Sequence, residues 1–205
     1  MEQFKEIHSE IQATILGYER PLRVDEPCQC GRGVRRFRCR DCPWHPPVCS
    51  ACLLQTHQYE PFHWAEVWTG HCFRQIDLVH IGLRIYLGHE GQPCPALNEE
   101  SVGVRITALD TNGIHETIVF FCECSASLAP HSRVLQLFRS RLFPYTTNMP
   151  ETVVTFRCLE DFRLHTNTSR KSAYDYMKIL YRRCSEETRL NETVCILEFA
   201  LSHLC

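Results

Sequence analysis

The stretch from Cys28 to His63 constrains this chain more than any other part of its sequence. It holds four closely spaced pairs of residues that can bind a soft metal ion: Cys28 and Cys30, Cys39 and Cys42, Cys49 and Cys52, and His57 and His63. A structural zinc site takes four Cys or His ligands in tetrahedral geometry, and two ligands close in sequence can be presented from one turn. Eight ligands in four pairs therefore predict two zinc ions.

The order of the pairs favours a crossed arrangement, in which alternate pairs share a metal ion. This arrangement assigns Cys28, Cys30, Cys49 and Cys52 to one ion and Cys39, Cys42, His57 and His63 to the other. His45 is an alternative to one of the later histidines. Free core cysteines and disulfides are the other interpretation, which the regular spacing and the closing histidines disfavour.

A third set of metal ligands is predicted further along the chain. His89 and Cys94 lie on a turn rich in Gly and Pro, and Cys122 and Cys124 follow an apolar run with strand character. Two such strand ends that face each other would make a Cys3His zinc site. His115 competes for the histidine position, and buried or free thiols are the alternative to a metal.

These motifs carry a resemblance to a known family. The segments concerned are the cluster Cys28–His63, LRIYLGHEGQPCP at 83–95, NGIH at 112–115, FCEC at 121–124, LFPYT at 142–146 and KSAYDY at 171–176. Together they resemble the second CxC-type cysteine-cluster domain associated with the KDZ (Kyakuja-Dileera-Zisupton) transposases of fungi, over roughly residues 20–183. The resemblance implies a transposable-element protein of the nucleus, with DNA or a transposase as its partner.

The same resemblance limits what can be transferred to this chain. In the family, the cysteine cluster lies upstream of a long transposase core that carries the catalytic acids. Here the family-like run fades after about residue 183, and the tail from about 185 departs from it. We therefore expect a truncated transposase or a transposon remnant, to which transposase activity does not transfer.

Composition indicates the kind of cellular compartment in which the cysteines would lie. The 205 residues include 14 cysteines, and the start of the chain has no secretory signal pattern. No apolar run approaches the roughly 18 residues of a membrane span. We therefore expect a reducing compartment and no membrane association, and in that setting clustered cysteines indicate metal rather than disulfides.

Charge limits how this chain could contact nucleic acid. The formal net charge is -2, so any such contact must come from a local basic patch. A strand predicted over 34–40 would place Arg36, Arg38 and Arg40 on one face, where three guanidinium groups could contact successive phosphates. The alternative is a solvated face without a partner.

The patterns predict an α+β architecture of zinc-stabilised small modules. Phe4, Ile7, Ile11 and Ile15 recur at helical spacing and predict a helix over residues 2–17, within an N-terminal region 1–20, which is expected to pack on a zinc cross-brace module at 25–70. The end of a longer disordered arm, or a helix that binds a partner, is the alternative. A small antiparallel sheet with the third zinc site follows at 71–128, with strands at 76–88, 102–109 and 114–122. Residues 129–205 are predicted to be helical, with helices over 131–143, 150–165, 172–185 and 188–204 and a divergent tail from about 185.

No catalytic constellation emerges from the sequence. The acids Asp110, Glu160, Asp161 and Asp175 fall at turns or on predicted helix surfaces, and nothing around them sets up a two-metal carboxylate site. We expect a protein without catalytic activity or small-molecule substrate, which docks to DNA or to a protein. The alternatives are a RING- or B-box-like ubiquitin ligase or adaptor, since crossed zinc-ligand pairs also occur there, and a transposon remnant without a selected function.

Overall fold

The computed structural model describes residues 2–19, 23–44, 46–124 and 132–184. It confirms the α+β class: helices pack with one three-stranded antiparallel sheet and one five-stranded mixed sheet. The helix predicted over 188–204 and His45 lie outside these residues. Among the described helices, none combines the length and apolar character that crossing a bilayer requires.

The N-terminal segment is helical, as its periodicity predicts, but it does not pack as expected. Two helices form there, α1 (Glu2–Glu6) and α2 (His8–Glu19). Of the four residues predicted to face the zinc module, Phe4, Ile7 and Ile15 are exposed and Ile11 is half-buried. The prediction that this segment caps the module is therefore wrong, because periodicity identifies an apolar face without identifying what covers it.

The cysteine-rich segment folds around a small antiparallel sheet. Its strands are β1 (Phe37–Cys39), β2 (Ala65–Trp68) and β3 (Phe73–Ile76), in that order, and helix α3 (Ser50–Thr56) lies between β1 and β2 in sequence. The buried core of this module is small and consists of Cys39, Leu53, Ala65, Leu78 and Leu83. A core of this size supplies little stability unless a further element, such as a structural metal ion, adds to it.

A five-stranded mixed sheet forms the larger part of the molecule. Its strands are β4 (Ile85–Tyr86), β5 (Val104–Asp110), β6 (Gly113–Phe120), β7 (Leu142–Pro144) and β8 (Thr152–Thr155), arranged in the order β4-β6-β5-β8-β7. The predicted hairpin is confirmed as the antiparallel β5–β6 pair, in which Asp110 lies opposite Gly113. Gly113 has a φ of 146°, and a Cβ there would lie 3.0 Å from the Trp64 ring, so the turn requires glycine.

The strand predicted over 76–88 is wrong. Its centre forms a 3-10 turn at Leu78–Ile81, which ends at Gly82 with a φ of 108°. Only Ile85–Tyr86 pairs with the large sheet, in parallel with β6. Buried Asp77 interrupts the strand because its carboxylate accepts a hydrogen bond from the backbone of Glu116, so the apolar residues after it pack as one turn.

The C-terminal region is less helical than predicted. The helices there are α4 (Ser132–Arg139), α5 (Phe156–Ser169) and α6 (Ala173–Arg183), of which α6 confirms the helix predicted over 172–185. The helix predicted to begin at Pro150 instead begins at Phe156, where the Thr155 hydroxyl accepts a hydrogen bond from the Cys158 backbone. The β-branched run Thr152–Thr155 before it forms β8, a strand buried between β5 and β7.

A hydrogen-bond network joins the cysteine-rich module to the large sheet. The side-chain amide of Asn112 donates to a carboxylate oxygen of Asp41 at 2.9 Å and to the Phe62 carbonyl at 2.8 Å. These two acceptors fix the amide orientation, so its carbonyl oxygen faces Nε2 of His115 at 2.9 Å and must accept from it. Nδ1 of His115 lies 2.9 Å from the Asp77 carboxylate, so both ring nitrogens have a hydrogen-bond partner.

Trp64 completes this junction. Its indole N–H donates to the backbone carbonyl of Asn112 at 2.9 Å, and the centre of its ring lies 4.1 Å from that of the His115 ring. His115 and Asp77 are 1% and 3% exposed, so the pair they form is shielded from water. The junction thus contains a buried histidine–carboxylate hydrogen bond whose partners come from different parts of the chain.

Replacing His115 by Ala should destabilise the protein strongly. The substitution leaves a buried carboxylate oxygen of Asp77 without its hydrogen-bond partner, which costs about 1–3 kcal/mol. His80→Ala removes a half-exposed histidine and should change the free energy of unfolding by no more than about 0.5 kcal/mol. Urea denaturation of both zinc-loaded variants measures the difference, and equal midpoints would contradict the structural role of the His115–Asp77 hydrogen bond.

Candidate metal centres

The first centre brings together Cys28, Cys30, Cys49 and Cys52. Their sulfur atoms all lie within 4.8 Å of one another, with 3.8 Å between Cys28 and Cys52 and 3.4 Å between Cys30 and Cys49. These residues are the first and third ligand pairs of the sequence. The chain therefore has the crossed arrangement that the pair order predicts.

Local backbone structure accounts for how these sulfurs are presented. Cys28 to Gly31 form a tight turn, in which Gly31 has a φ of 71° and its N–H donates to the Cys28 carbonyl. The Arg32 N–H then donates to the Cys30 sulfur at 3.4 Å. Cys49 and Cys52 lie at the start of α3, three residues apart, so their side chains share one face of the helix.

The second centre brings together Cys39, Cys42, His57 and His63. Cys42 Sγ lies 3.3 Å from Nε2 of His57 and 3.3 Å from Nδ1 of His63, and Cys39 Sγ lies 3.6 Å from that Nδ1. Cys39 ends β1, His63 precedes β2, and His57 follows α3. The centre thus links three elements of the module.

Neighbouring groups orient the two histidines. His57 is 1% exposed, and its Nδ1 lies 2.9 Å from the Leu53 carbonyl, to which it donates. This bond leaves Nε2 as the ligand atom, the arrangement usual for metal-binding histidines. Nε2 of His63 lies 3.6 Å from the Glu60 carboxylate, on the side opposite its ligand atom. Glu60 was not identified from the sequence. Its position three residues before His63 could have indicated an acidic neighbour for the second ring nitrogen of that histidine.

The third centre brings together His89, Cys94, Cys122 and Cys124. Nε2 of His89 lies 3.3 and 3.4 Å from the sulfurs of Cys122 and Cys124, and the Cys94 sulfur lies 3.7 and 3.5 Å from the same two. His89 is exposed and Cys94 is buried. His115, the predicted competitor, is a buried hydrogen-bond partner of Asp77 instead.

A glycine permits the close approach at this third centre. Gly88 precedes His89 with a φ of 86°, and a Cβ there would lie 3.1 Å from Cβ of Cys122. Both the positive φ and the short distance exclude a larger residue without strain. The backbone of the His89 turn can therefore lie directly against the end of β6.

The distances in all three centres fit tetrahedral metal binding. A tetrahedron with metal–sulfur bonds of about 2.3 Å has edges of about 3.8 Å between sulfurs and about 3.6 Å between sulfur and nitrogen. A disulfide requires about 2.05 Å, and the described cysteines are all free. Cys72, Cys158 and Cys184 belong to none of the described groups, as their isolated positions predict. Each of the three groups could hold a metal ion.

Without a metal, the pKa values of thiols within one centre are shifted in opposite directions. A hydrogen bond from the Arg32 backbone lowers the pKa of Cys30 to about 6, whereas hydrogen bonding to Cys30 is the main cause that raises the pKa of Cys52 to about 12. In the second centre, burial raises the pKa of Cys39 to about 12. A bound cation would stabilise every thiolate at once.

The predicted row of three exposed arginines does not form. Arg38 is 5% exposed, because Glu66 lies opposite it on β2 and accepts from its Nε at 2.5 Å. The Phe73 ring covers the same guanidinium group at 3.8 Å. Arg36 and Arg40 are exposed, but Arg36 pairs with Asp25, and Arg40 donates to the Gln75 side chain at 2.8 Å.

Comparison with models of known protein families shows which family this chain belongs to. The model of the CxC2-like cysteine cluster associated with KDZ transposases matches residues 78–188, more than half of the chain. The chain belongs to this family. The match contains the third centre and begins after the first two, and it confirms the resemblance found in the sequence. No curated protein and no solved structure matches the chain.

The metal content of this CxC2 protein should be three ions per chain when it is expressed with zinc. Cys39→Ser removes a ligand of the second centre and should lower the content to two or fewer. Cys158→Ser alters an equally buried cysteine that lies outside the centres and should leave three. Native mass spectrometry counts the ions, and three ions in the Cys39 variant would contradict the assignment.

Metal affinity should fall as the pH falls. Cys39 and Cys52, whose pKa values are raised to about 12 without metal, must each lose a proton on binding, so acid competes with the metal. Between pH 8 and pH 6 the apparent affinity should drop by an order of magnitude or more. Competition with a coloured chelator measures this change, and a constant affinity would contradict thiolate ligation.

Proposed function

We propose that this chain is a non-catalytic docking module in which three zinc ions stabilise a surface for DNA, acting in the nucleus beside a transposase-like protein. The observation that carries the proposal is the completeness of the centres. Each has four Cys or His ligand atoms within 4.8 Å of one another. Sets of four sulfurs, of two sulfurs with two nitrogens, and of three sulfurs with one nitrogen are those of structural zinc.

Complete ligand sets support a structural role for the metal. A catalytic zinc ion usually has three protein ligands and a fourth position open to water or substrate. Each centre here supplies four protein ligands, which leaves a tetrahedral ion no such position. The small core of the cysteine-rich module gives the metal a structural task, because metal binding contributes directly to folding.

The acids considered in the sequence are also engaged in structural contacts. Asp110 is fully buried and accepts from the Thr155 hydroxyl at 2.5 Å and from Nε of Arg157 at 2.6 Å. Asp161 accepts from the Tyr176 hydroxyl at 2.7 Å. These bonds hold β5, β8, α5 and α6 together, so both carboxylates have a task in the fold.

The other two acids lie on helices and serve them locally. Glu160 forms an ion pair with Arg163 on α5. At the start of α6, the Ser172 hydroxyl donates to the Asp175 carboxylate and accepts from the Asp175 backbone N–H. Within the described residues, no group suited to a metal contains a carboxylate. This arrangement supports a protein without two-metal chemistry.

DNA is the partner that the family association favours. The family is defined by its association with transposases, which act on DNA, and the chain carries 22 Lys and Arg residues despite its net charge of -2. A docking surface of this kind binds through phosphates, so its affinity depends on salt. The metal centres would hold that surface in one conformation.

Fluorescence anisotropy with labelled oligonucleotides tests this function. The zinc-loaded chain should bind DNA at micromolar concentrations, lose affinity between about 50 and 200 mM salt, and lose binding after chelation. A parallel sample with Mg²⁺ should leave the DNA uncut. Absence of binding to single-stranded and duplex DNA at about 100 µM protein would overturn the docking role, and strand cleavage would overturn the non-catalytic one.

A further inference from the structure

A large open groove lies where the cysteine-rich module meets the mixed sheet. Its volume is about 1140 Å³, and it is lined by the loop after α3, the segment through β4, the end of α4 and the start of α5. We call this feature the basic groove. Small-molecule sites measure about 300–1000 Å³ and enclose their ligands, so an open groove of this size suits part of a polymer better.

The charge of the basic groove is opposite to that of the whole chain. Five arginines line it, Arg32, Arg84, Arg139, Arg141 and Arg157, against two acids. One acid, Glu60, lies 3.9 Å from Arg157, whose guanidinium group also binds Asp110. A net positive groove on a chain of net charge -2 indicates an anionic ligand.

The arginines differ in how freely they can meet a ligand. Arg84 is held by two backbone carbonyls, and Arg32 donates to the Gln55 side chain. Arg139 and Arg141 are exposed at the end of α4, and within the described part of the chain neither has an acidic partner. These two are the arginines best placed to bind phosphates.

Aromatic rings lie among these arginines. Tyr59 is 72% exposed at the edge of the groove, and the half-buried rings of Tyr86 and Phe156 also line it. Arg141 lies over the Phe156 ring at 5.9 Å. Grooves that bind single-stranded nucleic acid combine a basic track for the backbone with aromatic platforms for the bases.

We infer that the basic groove binds single-stranded nucleic acid, with Arg139 and Arg141 on phosphates and Tyr59 stacked on a base. This inference rests on the proposed DNA-docking function and deepens it by naming the surface and the form of the strand. The bases of a duplex are stacked in its interior, so they cannot stack on aromatic rings of a protein groove. An acidic peptide would use the arginines but would gain little from the exposed Tyr59 ring.

Two charge-matched double variants test the basic groove. Arg139→Ala with Arg141→Ala should weaken binding of a labelled single-stranded 12-mer by on the order of tenfold and lower its salt slope by about 1.4, which corresponds to two lost phosphate contacts. Arg36→Ala with Arg40→Ala removes the same charge elsewhere and should change affinity less than about twofold. Native mass spectrometry checks that both variants keep three metal ions.

Variants at Tyr59 separate stacking from charge. Tyr59→Ala should weaken the same binding about fivefold or more, and Tyr59→Phe, which keeps a ring, should restore it. A duplex of the same sequence should bind more weakly than the single strand. Because the side chain is exposed, neither substitution should change the unfolding midpoint.

The outcomes distinguish this inference from the function on which it rests. One outcome is that the wild-type chain binds DNA while the two double variants weaken binding equally or not at all. In that case the assignment of the basic groove as the binding surface is wrong, and the docking function stands. Stronger displacement by polyglutamate than by unlabelled single strand would identify an acidic protein ligand and overturn the inference. Failure of the wild-type chain to bind either DNA form overturns both.

Discussion

The close clustering of four soft ligand atoms at each of three points is the constraint around which the rest of this structure is arranged. Three times the chain places four sulfur or imidazole ligand atoms within 4.8 Å of one another. A cation bound at such a cluster would stabilise all of its thiolates at once, whereas in the metal-free chain hydrogen bonds shift the pKa values of Cys30 and Cys52 in opposite directions. A metal ion at each of the first two clusters would add stability to a module whose buried core is small.

Each candidate centre draws its ligands from separate elements of the fold. The first combines the turn at Cys28 with α3, and the second combines α3 with β1 and the start of β2. The third combines the His89 turn with the end of β6. Between the module and the sheet, hydrogen bonds of buried His115 and of the Trp64 indole form the junction. The basic groove lies along this contact between module and sheet and is lined by both parts.

The distribution of arginine decides which surface could dock DNA. A row of alternate arginines on a strand indicates a phosphate-binding face in the sequence, yet Arg38 pairs with Glu66 under the Phe73 ring. An acid directly opposite an arginine on the next strand neutralises its charge and leaves the guanidinium group less able to bind a phosphate. The groove collects its arginines from four separate segments instead, so no short stretch of sequence displays it.

The sequence by itself determined the candidate ligands, their division among three groups, the β5–β6 hairpin, helix α6 and the family, because each depends on short spacings or local patterns. Only the tertiary structure decided that the β-branched run Thr152–Thr155 forms β8 and does not join the helix after it, because the strand pairs with β5 and β7. It also decided that His115 is a buried hydrogen-bond partner of Asp77 and that Arg38 is buried. Those outcomes depend on partners distant in sequence, which a local pattern does not contain.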